Sequence, residues 1–185
     1  EYEKLCVELE KRELYQQLAY IRFSFSSGAR RAEVRQLLKE VTAYEPKILS
    51  SSKGEIKTYS THSIRCKGRG PQGKIRKLQF DEIAMQAITK WLNVRGDDNC
   101  PYVFVSKKGG TYVQAGETLF NSWSDTYFEP IVGRRFHPHL LRESRATTLV
   151  VEQGKDIKFA QKLLDHKSST TTEIYVIRKD QDDAD

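Results

Sequence analysis

His139 and Arg142 stand three residues apart, and a helix over that stretch would turn both side chains toward one ligand. Elsewhere Arg30 follows Ser27-Gly28-Ala29, Lys67 follows Cys66, His166 follows Leu163-Leu164-Asp165, and Tyr175 lies nine residues further on. Chemistry at a phosphodiester without a metal needs cations around the non-bridging oxygens, a nucleophile, and an acid for the leaving oxygen. Arginine suits the first task because its planar fork stays charged and can bond a phosphate through two nitrogens. Tyrosine can attack, lysine can give up a proton, and histidine can take one. Taken singly, each has an ordinary reading: Arg30 a surface cation, His166 a helix C-terminal cation, Tyr175 one of nine tyrosines. His62, His137 and Cys66 fit no zinc-ligand spacing. No metal and no cofactor are expected.

These residues need a scaffold. Leu5 with Leu9, then Leu14, Leu18 and Ile21, predict two short helices or one bent one before Phe25, and Ser26-Ser27-Gly28 ends the pattern. Val34, Leu37, Leu38 and Val41 predict a helix over Ala32–Val41, entered through the glycine turn beside Arg30. Weak alternation from Ile48 to Cys66 predicts short strands around a loop near Ser50–Gly54. Gly68, Gly70, Pro71 and Gly73, with alternation over Lys77–Phe80, predict a β-hairpin with a basic tip. Asp81 is placed to cap a helix carrying Ile83, Ala84, Ala87, Ile88, Trp91 and Leu92. A strand at Tyr102–Val105 precedes a Gly109-Gly110 turn, and a helix through Leu119, Phe120, Trp123 and Tyr127 should close near Pro130. Pro138 can open a helix over His139 to about Val151, followed by helices at Ile157–Leu164 and Thr170–Val176. The expected class is α+β, mainly helical, with a small antiparallel sheet, in one domain over 1–185.

Composition narrows the partner. Lys and Arg number 31 against 25 Asp and Glu, a net charge of +6, which favours nucleic acid among possible partners. The excess is clustered. Arg65, Lys67, Arg69, Lys74, Arg76 and Lys77 run without an acid among them, and Arg134 and Arg135 lead into the His137–Arg145 stretch. Each cluster alone equally fits a solvated surface, as does the acidic tail beyond Lys179. No stretch approaches the roughly 20 apolar residues of a membrane span. Three dispersed cysteines argue against a disulfide framework and fit a cytoplasmic setting.

The ordered set Ser27-Gly28-Ala29-Arg30-Arg31-Ala32-Glu33, Cys66-Lys67-Gly68 with Lys74-Ile75-Arg76, His139-Leu140-Leu141-Arg142, and Leu164-Asp165-His166 with Tyr175 resembles the signature of the tyrosine recombinases. These are the phage and transposon integrases and the chromosome-dimer-resolving recombinases. G-x-R-x-x-E and H-x-x-R are each common by chance; five pieces in order from Gly28 to Tyr175 are not.

The resemblance implies a catalytic role for each position. Arg30 and Arg142 would clamp the scissile phosphate, with Glu33 supporting the pocket of Arg30. Lys67 would protonate the leaving 5′ oxygen, with Lys74 its rival for that task. His139 would take the nucleophile's proton and His166 would hydrogen-bond the phosphate. Tyr175 would attack phosphorus and form a 3′-phosphotyrosyl link. Arg65, Arg69, Lys74, Arg76, Lys77, Arg134 and Arg135 would contact DNA. The resemblance further implies double-stranded recombination sites as partner, a homo-tetramer on DNA from a protein monomeric when isolated, accessory DNA-bending proteins, and a separate N-terminal domain outside this catalytic fragment. Glu143 after Arg142, and Asp165 before His166, depart from residues common in the family and bear on subfamily more than on activity. A type IB topoisomerase is the nearest rival, but such enzymes usually carry lysine at the position of His139. A DNA-binding module without catalysis would not need all six groups.

Overall fold

The computed structural model describes residues 1–164 other than Lys53, Arg69 and Gln72. His166, Tyr175, Arg69 and the expected Thr170–Val176 helix therefore lie outside the described residues. Helices α1 (Tyr2–Lys11) and α2 (Tyr15–Ser27) realise the first apolar pattern as two helices. α2 is buried nearly all round, with Ala19, Tyr20, Ile21 and Phe23 closed to solvent, as expected of a helix that runs through a core. It packs against α1, against α4 (Glu82–Arg95) and against α7 (His139–Thr147). Tyr20 stacks on Phe120 with ring centres 4.6 Å apart, tying α2 to α5 (Glu117–Trp123).

The glycine turn after α2 leads into α3 (Arg31–Val34), which stops after four residues. The helix expected over Ala32–Val41 is thus cut short. Leu37 and Leu38 are drawn into backbone pairing: the Leu37 carbonyl accepts from Val103 N–H at 2.8 Å, and Leu38 bridges Tyr102. The Leu38 N–H is also held, at 3.1 Å, by Nε2 of His62. Because Nε2 accepts, the proton sits on Nδ1, which donates to the Ser63 carbonyl at 3.0 Å. A tight turn over Lys39–Ala43 still buries Val41 with Val34 and Leu37, so the apolar spacing served a different backbone.

Strands β1 (Lys47–Ser51), β2 (Gly54–Ser60) and β5 (Gln79–Asp81) form an antiparallel sheet in the order β1-β2-β5, with Tyr59 opposite Phe80. β3 (Ile64–Cys66) and β4 (Lys74–Arg76) form the basic hairpin. The strand segment past Lys77 joins the larger sheet instead of lengthening the hairpin. Asp81 caps α4 as expected, its Oδ1 accepting from Ala84 N–H at 2.8 Å. β6 (Val105–Lys108) and β7 (Thr111–Gln114) form a second hairpin; β6 starts later than the expected strand because Tyr102 and Val103 pair with Leu38 and Leu37.

Pro130 does not close the helix that starts at α5. A wide turn over Ser124–Phe128 restarts it as α6 (Glu129–Val132), where proline sits in the first turn and forfeits no bond that segment would make. The stop is Gly133, left-handed at φ 80°. α7 follows Pro138, passes through another wide turn over Thr148–Glu152, and leads to α8 (Ile157–Leu164).

Candidate active site groove

Arg30 is placed by two local devices. Gly28 ends α2 in a left-handed conformation (φ 64°, ψ 22°) that residues with a Cβ adopt at a cost, and its N–H bonds the Ser24 carbonyl at 2.9 Å. The chain then extends at Arg30 and turns into α3. There Glu33, only 1% exposed, reaches back: Oε2 accepts from the Arg30 N–H at 2.9 Å and Oε1 from its guanidinium at 3.0 Å. The carboxylate fixes both the backbone and the fork of Arg30, whose side chain stays 27% exposed.

Lys67 leaves the end of β3. Gln36 grips that strand like an extra partner, accepting from Arg65 N–H at 3.0 Å and donating to its carbonyl at 2.8 Å. His139 begins α7. The turn before it is held by Glu129, whose Oε1 accepts from Phe136 N–H at 2.8 Å.

These three elements converge. Arg30, Lys67 and His139 line one open groove of about 700 Å³, shared with Arg31, Arg135 and His137 and with the acids Glu117, Asp125 and Glu129. His139 has its pKa lowered from the ordinary imidazole value, first by burial and then by the positive charges of Arg142 and Arg30. The imidazole is thereby held neutral near pH 7, able to accept a proton. Arg142, 1% exposed, is not among the residues lining the groove; it donates to the carbonyls of Gly28 and Leu164. It joins the α2–α3 turn to the end of α8.

The expected DNA-contacting residues are dispersed. Arg135 lines the groove, while Lys74, Lys77 and Arg76 line a second cleft beside Lys162 and Phe159 of α8. Arg65 reaches across the hairpin to the Pro71 carbonyl. Arg134 is ion-paired with Glu1, its Nε 3.0 Å from Oε2, beside a small separate cavity. Arg76 points inward, with its side chain 15% exposed. Gln36 and Glu129 were not singled out by the sequence, since an amide and a carboxylate that hold backbone carry no motif.

Helices around a central buried one, small antiparallel sheets and a basic hairpin reproduce the fold of XerA recombinase, with a TM-score of 0.69 at 23% identity over 95% of this chain and 56% of that one. Residues 1–182 match the model of the phage integrase family, and the chain belongs to that family. It is 28% identical, over 94% of its length and 50% of the relative's, to the SPbeta prophage-derived recombinase-like protein YomM of Bacillus subtilis (strain 168). With tyrosine recombinase XerC of Shewanella sp. (strain ANA-3) it shares 31% identity over 85% of its own length and 46% of that protein's. The chain spans about half the length of the curated relatives it matches. Among the described residues no helix is long and apolar enough to cross a membrane.

Proposed function

We propose that this chain is the catalytic domain of a site-specific DNA recombinase of the integrase type, acting on double-stranded sites in the integration or excision of a mobile element. The observation that carries the reading is the convergence of Arg30, Lys67 and His139, from three elements distant in sequence, on one groove. In this reading Arg30 and Arg142 neutralise the non-bridging oxygens. The Tyr175 hydroxyl oxygen bonds to phosphorus as the bond from phosphorus to the 5′ oxygen breaks. Its proton passes to neutral His139, and the Lys67 ammonium protonates the departing 5′ oxygen. His166 donates to the phosphate. The 3′-phosphotyrosyl bond keeps the phosphodiester energy, so rejoining reverses the step without ATP. Arg65, Arg69, Lys74, Lys77 and Arg135 serve as phosphate contacts. A further DNA-clamping domain, tetramer assembly on DNA, and cytoplasmic action with accessory bending proteins complete the proposal.

Cleavage of DNA spanning the ends of the encoding element, in excess EDTA, tests it. Arginines, lysine and histidines supply the charge stabilisation that metals supply in many nucleases, so strand cleavage should persist. Replacing the leaving 5′ oxygen by sulfur, which departs without a proton, should rescue Lys67→Ala far more than Arg142→Ala. Cleavage that stops on chelation and returns with magnesium would overturn the metal-free chemistry, and rescue of Lys74→Ala instead would exchange the two lysines.

A further inference from the structure

The three nitrogens of Arg76 address three different elements. Nε donates to Cys66 Sγ at 3.2 Å on β3 and Nη1 donates to the Leu163 carbonyl at 3.1 Å on α8; Nη2 is buried without a hydrogen bond and lies at ion-pair distance, 3.7 Å, from Glu33 Oε2 on α3. The strand register makes the first contact possible. Arg76 pairs with Ile64 and Lys74 with Cys66, so Arg76 and Cys66 lie diagonally on one face of the hairpin. Cys66 is buried, and burial pushes its thiol pKa up, so the sulfur Arg76 meets is the neutral thiol. Cys66 is the residue before Lys67, Glu33 is the anchor of Arg30, and Leu163 precedes the stretch that contains His166 and Tyr175.

We infer that Arg76 is a positioning residue for Lys67, a clamp that holds the hairpin to α3 and α8, and not a phosphate contact. The inference rests on the reading of Lys67 as the acid in strand cleavage. A guanidinium suits the task because its fork has fixed directions toward three partners; an ammonium is a point charge on a flexible stem and cannot hold all three at once. A phosphate at Arg76 would meet two nitrogens already engaged by a sulfur and a carbonyl, and a third buried against the Glu33 carboxylate, whose negative charge repels it.

Hydrogen exchange on the DNA-free protein reads the clamp independently of any activity. In Arg76→Lys, exchange at the hairpin amides, 64–67 and 74–76, should rise about 10-fold relative to those of α4, as expected of a local opening. Unchanged hairpin exchange would overturn the clamp whether or not the protein cleaves DNA. For DNA binding, Arg76→Gln should keep the salt dependence of affinity; a slope shallower by about one charge would make Arg76 a phosphate contact instead. In cleavage, Arg76→Lys should be slowed about 10- to 100-fold, less than the largest effects of losing a general acid outright. A bridging sulfur at the 5′ position should remove most of that deficit. Equal deficits with oxygen and sulfur would overturn action through Lys67. Absence of wild-type cleavage would sink the proposed function, while the exchange arm still decides the clamp.

Discussion

His139 carries the most specific electrostatic signature in the groove. Burial and the nearby charges of Arg142, Arg30, His137 and Arg31 all disfavour its protonated form, so its folded pKa lies below the unfolded value of about 6.5. As pH falls below about 6.5 the unfolded chain takes up this proton before the folded one, so stability declines until the folded pKa is passed and is constant beyond it. In the folded protein the proton-accepting form is lost as pH falls through the lowered folded pKa, and cleavage at limiting substrate should fall there. A nuclear magnetic resonance titration, with His139→Gln used to assign the signal, should give a midpoint below about 6.5 in DNA-free protein. A midpoint at or above that value would contradict the electrostatic account of this residue.

At the scale of elements, the turn between α2 and α3 is the hinge on which Arg30 and Arg142 both depend. Gly28 is left-handed, and a Cβ there would run into the Leu164 side chain. Gly28→Ala should therefore cost about 1–2 kcal/mol from backbone conformation alone, and more from the displaced end of α8. An unchanged urea midpoint and slope would contradict that packing. The sequence announced this turn through Ser26-Ser27-Gly28, and it announced the α4 cap through Asp81, because both signals are local. It misjudged Ala32–Val41, where pairing of Leu37 and Leu38 with Val103 and Tyr102 outweighed helical spacing. It placed the helix end near Pro130, and the helical stretch does end close by, at Val132, with Gly133 and not the proline as the stop. The grip of Gln36 on Arg65 had no readable signal, since it joins segments far apart in the chain, and that of Arg76 on Cys66 depends on a hairpin register that alternation alone does not fix.

For the molecule as a whole, a net charge of +6 said less than its distribution in space. Two basic clusters of similar appearance separate in the fold: Lys67 and Arg135 line the groove, Arg134 pairs with Glu1, and Arg76 turns inward. The fold brings Arg30, Lys67 and His139 together. The nucleophile assigned by resemblance, Tyr175, lies beyond the described residues, so attack by that hydroxyl is the claim on which the account turns. Mixing the protein with DNA spanning the ends of its element, then denaturing, tests it. The wild type should yield a denaturant-resistant protein–DNA adduct whose peptide map places the nucleotide on Tyr175. Tyr175→Phe should yield none while binding DNA almost as tightly, because one hydroxyl is lost and the basic surface is untouched. An adduct of undiminished yield in Tyr175→Phe, or one mapped to another residue, would contradict the account.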